Sequence, residues 1–212
     1  MFYWLASGLV WLLLRLLTRC EVLGVENVPR KGPVIIVSNH LSMVDPPVLG
    51  ALTPRKIIFM GKEELFQRPV LNWLMHGYEA FPVRRGEPDR QALRKSHRVL
   101  REGLALGLFP EGTRSRSGAL QRGHPGAALL ALESGAPIVP VAVMGTSEVA
   151  RWPGILRRRT IRVVYGEPFY VSTPTPGPER VSGRRRLGEV TDLIMAKVAA
   201  LLPADRRGVY GQ

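Results

Sequence analysis

The stretch "PVIIVSNHLSMVDPP" (33–47) decides the fold, because a β-branched apolar run empties directly into a histidine, a carboxylate and two prolines. Runs of the same kind recur at "KIIFM" (56–60), "YEAFPV" (78–83), "LALGLF" (104–109), "PIVPVAV" (137–143) and "TIRVVYG" (160–166). Near-continuous Val, Ile, Leu and Phe without polar alternation predicts strands covered on both faces. Helical patterns lie between the runs. "DRQALRKSHRVLREG" (89–103) spaces Leu93, His97 and Leu100 by four and three, and "HPGAALLALESG" (124–135) also closes on glycine. A further helix is expected at about 179–202, after the linker-like "STPTPGPE" (172–179). The fold class is therefore α/β, a mostly parallel or mixed central sheet flanked by helices.

A chain of 212 residues with 45% apolar content fits one ordinary domain. Its single cysteine, Cys20, excludes an internal disulfide and a thiolate metal cluster. A net charge of +13 calls for anionic partners: nucleic acid, a membrane surface or a phosphorylated substrate. The arginine runs at 157–159 and 184–186 read as solvated surface. No binding motif or basic-aromatic groove pattern supports nucleic acid.

The opening "MFYWLASGLVWLLLRLL" (1–17) has no charged side chain before Arg15, and Arg19 follows one helical turn later. A signal peptide would carry its charge before the apolar run and a small-residue cleavage site after it. Fourteen helical residues reach about 21 Å, short of a hydrocarbon core of about 30 Å. The expected arrangement is a monotopic helix at the cytoplasmic face, with Phe2, Tyr3, Trp4 and Trp11 at headgroup level. A single strained span and a buried core helix are the arrangements it competes with. The expected organisation is a membrane-associating helix (1–19), an α/β domain (20–202) and a loose C-terminal tail (203–212).

In open α/β sheets ligands collect beyond the carboxyl ends of the strands, where His40 stands. Asp45 precedes Pro46 and Pro47, so it reads both as a helix N-cap and as the carboxylate that orients an imidazole. On one continuous helix the two would lie about 140° apart, so pairing them needs a loop and a helix start between. Ser42 lies outside any G-x-S-x-G elbow and reads as loop support. A metal site would need further ligands, and His76, His97 and His124 show no ligand spacing. His76 and His97 are expected on helices as ordinary satisfied residues.

"LGLFPEGTRSRSG" (106–118) repeats the arrangement of strand and loop. Glycine permits close backbone approach, and an arginine fork pairs with phosphate. Walker spacing is absent.

These blocks resemble the glycerolipid acyltransferases, and among them the bacterial 1-acylglycerol-3-phosphate (lysophosphatidic acid) acyltransferases. The resemblance rests on "NHLSMVD" (39–45), "KEEL" (62–65) with "GYEAFPVRRG" (77–86), "FPEGTRSRSG" (109–118) and "IVPVAV" (138–143), and covers about residues 20–170. It implies direct acyl transfer from acyl-CoA or acyl-carrier protein to a glycerol hydroxyl, with no metal, no cofactor and no covalent acyl-enzyme. It implies His40 as general base and Asp45 as its orienting carboxylate. Arg84, Glu111, Gly112, Thr113 and Arg114 would hold the glycerol phosphate, with Asn39, Ser42 and Lys62 in support. One departure falls at "LQRGHPGAA" (120–128), where Arg122 supplies the charge that the family often draws from a lysine. Lysophosphatidic acid, the thioester donor and a membrane lipid surface are the implied partners. Glycerol-3-phosphate or another lysolipid is the alternative acceptor, and a non-catalytic basic module for anionic lipid or nucleic acid is the remaining alternative.

Overall fold

The computed structural model describes residues 1–84, 86, 89–149, 158–171 and 183–211. The expected linker at 172–179 and helix start at 179 lie outside the described residues, as does Arg157.

Each apolar run forms a strand: β2 (Val34–Ser38), β3 (Ile57–Lys62), β4 (Phe81–Val83), β5 (Ala105–Leu108), β6 (Ile138–Met144) and β7 (Thr160–Tyr165). A further strand, β1 (Arg19–Leu23), precedes them. The seven strands make one sheet in the order β1-β7-β6-β2-β5-β3-β4. All neighbours run parallel except β6 and β7, which are antiparallel, so the sheet is mixed. Strand β2 sits between β5 and β6 and is buried along its whole length, which is why its pattern shows no polar alternation.

Side chains leave a strand alternately to its two faces. Ile35 and Val37 join a core with α4 (Arg90–Arg101), α5 (Gly126–Ser134) and α7 (Gly183–Ala200). Val34 and Ile36 join the opposite core, with α1 (Phe2–Leu17) and α2 (Asp45–Leu52). Among the described residues, the short helices α3 (Pro69–Gly77) and α6 (Thr146–Val149) are the remaining α-helices. His76 lies on α3, where its ring nitrogen meets the Asn72 carbonyl; His97 lies on α4 and pairs with Glu133 of α5.

Helix α1 differs from the expectation in one respect. Tyr3 is core, not headgroup-level: it is 2% exposed, donates to the Gly50 carbonyl and accepts the Ile57 backbone N–H at 3.0 Å. Leu14 is buried too. Trp4, Leu5, Leu9, Trp11, Leu12, Leu13 and Leu16 stay exposed. The apolar surface continues onto α3, where exposed Trp73 meets Phe2 edge-on at 4.8 Å. Among the described residues no helix is long and apolar enough to cross a membrane.

The end of the chain, expected to be loose, is docked. The Leu120 N–H donates to the Arg206 carbonyl at 2.8 Å and the Gly123 N–H to the Tyr210 hydroxyl at 3.2 Å. Composition suggested a tail; backbone hydrogen bonds to a distant loop hold it.

Candidate active site

Because β2 to β6 are mutually parallel, their carboxyl ends share one edge of the sheet. His40 follows β2 and Phe109 to Gly118 follow β5, so neighbouring strands deliver the two loops side by side.

The Asp45 carboxylate organises the first loop. Asp45 is the first residue of α2, and Val44 is the N-cap, so it does not cap its own helix as expected. Side chains on a helix tilt toward its N-terminus, which turns this carboxylate back onto residues 40–42. Its Oδ2 accepts the Leu41 N–H at 2.6 Å, the Ser42 N–H at 2.7 Å and His40 Nδ1 at 2.8 Å. A carboxylate can only accept here, so the His40 proton sits on Nδ1 and Nε2 keeps a free lone pair. Among the described residues nothing is hydrogen-bonded to Nε2. The imidazole lies flat against Phe109, with ring centroids 4.2 Å apart, and Phe109 in turn stacks on Phe59.

Asn39 fastens the same loop to β6. Its side-chain amide donates to the Val143 carbonyl at 2.9 Å and accepts the Val143 N–H at 2.7 Å, extending the β2–β6 ladder by one side-chain rung. Ser42 supports the loop as expected, its hydroxyl accepting the Val44 N–H.

Glu111 locks the two loops together. Oε1 accepts the His40 N–H at 2.7 Å, while Oε2 accepts the backbone and side-chain N–H groups of Gln121. Burial pushes its carboxyl above the usual range against the pull of these hydrogen bonds, that from His40 foremost. The structure thus gives Glu111 a positioning place behind His40. Ser115 adds a second tie, its N–H donating to the His40 carbonyl at 2.8 Å. Gly112 turns the loop at φ 65°, where a Cβ would lie 2.9 Å from the His124 ring.

Thr113 and Arg114 stand exposed and line a cleft of about 720 Å³ that also holds Leu41, Ser42, Arg116 and Arg206. The cleft lies against the His40 loop. Lys62 and Arg84 share the edge but not the cleft. Lys62 ends β3 and pairs with Glu64 at 2.7 Å. Arg84 follows β4, three strand spacings or about 14 Å from β2, and its N–H donates to Asp89. Arg122 is exposed and lies near Tyr210. Among the described residues no group of three or more His, Cys, Asp or Glu could hold a metal ion.

Sequence reasoning overlooked Phe109 as the platform under the imidazole and Arg206 as part of the cleft wall. The first stands in a quoted motif but reads there as the end of a strand. The second reaches the site only through tertiary docking.

The sequence model of the family described as Acyltransferase matches residues 19–144, which contain both loops. The chain belongs to this acyltransferase family. It is 30% identical over 183 residues to the 1-acyl-sn-glycerol-3-phosphate acyltransferase of Bacillus subtilis, covering 85% of this chain and 87% of that one. It is 33% identical over 159 residues to a chloroplastic 1-acyl-sn-glycerol-3-phosphate acyltransferase of Brassica napus, covering 73% of this chain and 46% of that one. Against that plant relative, this acyltransferase-family chain spans a little under half the length. The crystal structure of the 1-acyl-sn-glycerophosphate (LPA) acyltransferase of Thermotoga maritima superposes with a TM-score of 0.65. It is 26% identical and covers 89% of this chain and 74% of its own. The helix-flanked α/β sheet expected from the apolar runs is thus a fold this acyltransferase family already holds in a solved structure.

Proposed function

We propose that this chain is an O-acyltransferase. It moves a fatty acyl group from acyl-CoA or acyl-carrier protein to the free hydroxyl of 1-acylglycerol-3-phosphate, giving phosphatidic acid. The observation that carries the reading is the 2.8 Å contact between His40 Nδ1 and Asp45 Oδ2, which leaves Nε2 available as a base on the loop whose next residues, Leu41 and Ser42, line a cleft with three arginines. Arg114, exposed in that cleft, suits a phosphate by guanidinium pairing.

Nε2 takes the proton of the acceptor hydroxyl as its oxygen attacks the thioester carbon. When the tetrahedral adduct collapses, the carbon–sulfur bond breaks and the thiolate takes that proton back from Nε2. Asp45 stabilises the imidazolium between the two transfers. The thioester is already activated, so neither a metal nor an acyl-enzyme is required. Attachment is monotopic at the cytoplasmic face, through the exposed apolar side of α1 and the adjoining α3.

The test is transfer of labelled acyl chains by detergent-extracted protein, from acyl-CoA and from acyl-carrier protein, to a panel of lysolipids. Lysophosphatidic acid is the expected acceptor, and His40→Ala is expected to lose about 10²–10⁴ in rate. Full activity in His40→Ala would overturn the general-base role. Transfer confined to a phosphate-free lysolipid would replace the acceptor.

A further inference from the structure

We propose that Arg206 is a phosphate-binding residue of this site, supplied by the C-terminal segment to complete the anion cleft that Arg114 and Arg116 begin. The inference rests on the acyl-transfer reading for the identity of its ligand, the phosphate monoester of the acceptor. Arg206 lies outside the residues matched by the family model, which end at 144.

Three guanidinium groups line the larger cleft against one carboxylate, Glu148, which pairs with Arg159 at 3.5 Å. Arg206 also lines a second cleft of about 320 Å³ with Asn39 and Val143, and with Leu41, Gly118, Ser147 and Glu148 it borders both. Its side chain is 43% exposed, and its Nε faces Asp205 at 3.4 Å. The Asp205 side chain is itself exposed, so this is a surface ion pair and leaves the guanidinium open to the cleft.

The placement is built from the backbone. After α7 the chain makes one turn at Ala204–Arg206 and a second at Gly208–Tyr210. The Leu120 N–H holds the Arg206 carbonyl, and the Tyr210 hydroxyl accepts the Gly123 N–H. Gly208 adopts φ 55° with the Leu120 carbonyl oxygen 2.0 Å from where a Cβ would stand, so only glycine fits that crossing. On the facing loop, Gly118 adopts φ 80°, and a Cβ there would lie 2.3 Å from Arg206 Nη1. The absent side chain at Gly118 is the space the guanidinium occupies. Loop 112–118 carries Arg114 and Arg116, and its continuation at Leu120 and Gly123 carries the anchors. The backbones that carry the three arginines are therefore tied to one another, and all three side chains line the one cleft in which a dianion would pair with them.

The main-chain anchor survives substitution of the side chain, so Arg206→Gln and Arg206→Lys are clean variants. Two measurements on the full chain in detergent decide the matter. In the first, inorganic phosphate is titrated and followed by phosphorus NMR line broadening. Its Kd is expected to weaken about tenfold in Arg206→Gln and less in Arg206→Lys. In the second, steady-state transfer is measured with each substrate varied in turn. The KM for lysophosphatidic acid is expected to rise about tenfold in Arg206→Gln, with kcat changing far less and the KM for the thioester unmoved. Unchanged phosphate binding in Arg206→Gln overturns the proposal, and so does a rise confined to the thioester KM, which would move Arg206 to the donor. A wild-type chain that binds phosphate through Arg206 but fails to acylate lysophosphatidic acid sinks the acyl-transfer reading and leaves the anion site standing.

Discussion

The buried carboxylate of Glu111 accepts the backbone N–H of His40 at 2.7 Å, joining positions 71 apart in the chain. A charge 2% exposed is tolerated there because Gln121 donates twice to its other oxygen. Burial raises its pKa in the folded state above its unfolded value. The stability linked to its proton is thus fully present below the unfolded pKa and is lost as pH rises through the folded one. Glu111→Gln lacks this titration. Melting curves across the acid range should show the advantage of wild type over Glu111→Gln greatest at the lowest pH and shrinking as pH rises. A constant difference would mean that the carboxyl does not titrate abnormally.

Phe109 holds the imidazole by its face rather than by a hydrogen bond. Phe109→Leu keeps apolar volume but removes the ring, and should cost about 1 kcal/mol of stability. The expected kinetic signature is a lower kcat with little change in either KM, since the base is displaced and the phosphate contacts are not. Unaltered kcat would reduce Phe109 to core packing.

Asn39 replaces a missing backbone rung between β2 and β6. Asn39→Ala strands both the N–H and the carbonyl of Val143 in a buried site, with an expected loss of about 3 kcal/mol in denaturant unfolding. Asn39→Asp keeps the acceptor but points a carboxylate at the Val143 carbonyl, and should be no more stable than the alanine variant.

Deleting α1 would remove Tyr3 and Leu14 from the core, so truncation confounds attachment with folding. Substitution on the exposed stripe separates them. Leu9→Glu, Leu12→Glu and Leu16→Glu together should release the protein from vesicles in flotation while leaving its melting temperature near wild type. Tyr3→Phe should do the reverse, costing about 1 kcal/mol of stability with flotation unaffected. Retained flotation of the triple variant would contradict attachment through this face.

Strands buried on both faces announced themselves, as β2 and β6 do, because nothing polar interrupts them. Strand β1 did not: its residues alternate between exposed and half-buried, and its partner β7 lies at the far end of the chain. The reversal between β6 and β7 leaves no local mark either, since parallel and antiparallel neighbours use the same residue types. His40, Asp45 and the Gly112–Arg114 loop were legible because strand ends and turn residues are local signals. Glu111 was named only through the family resemblance, as a phosphate residue, and its hydrogen bond to His40 depends on β2 and β5 being adjacent. The docking of Arg206 and Tyr210 onto Leu120 and Gly123 lay further still from any local pattern.

Among the described residues strand β1 touches the sheet through β7 alone, and its Glu21 pairs with Arg162, 141 positions later. During synthesis β1 must therefore wait for nearly the whole domain before it has an edge to join. Helix α1 has earlier partners, because Tyr3 bonds Gly50 of α2 and Ile57 of β3. Its outward leucines and tryptophans are thus available to a bilayer while the far edge of the sheet is still unmade. On the attachment proposed above, that order of events brings the lipid surface first and the last strands afterwards, and spares the nascent chain a long interval with both apolar helix and unpaired edge facing water.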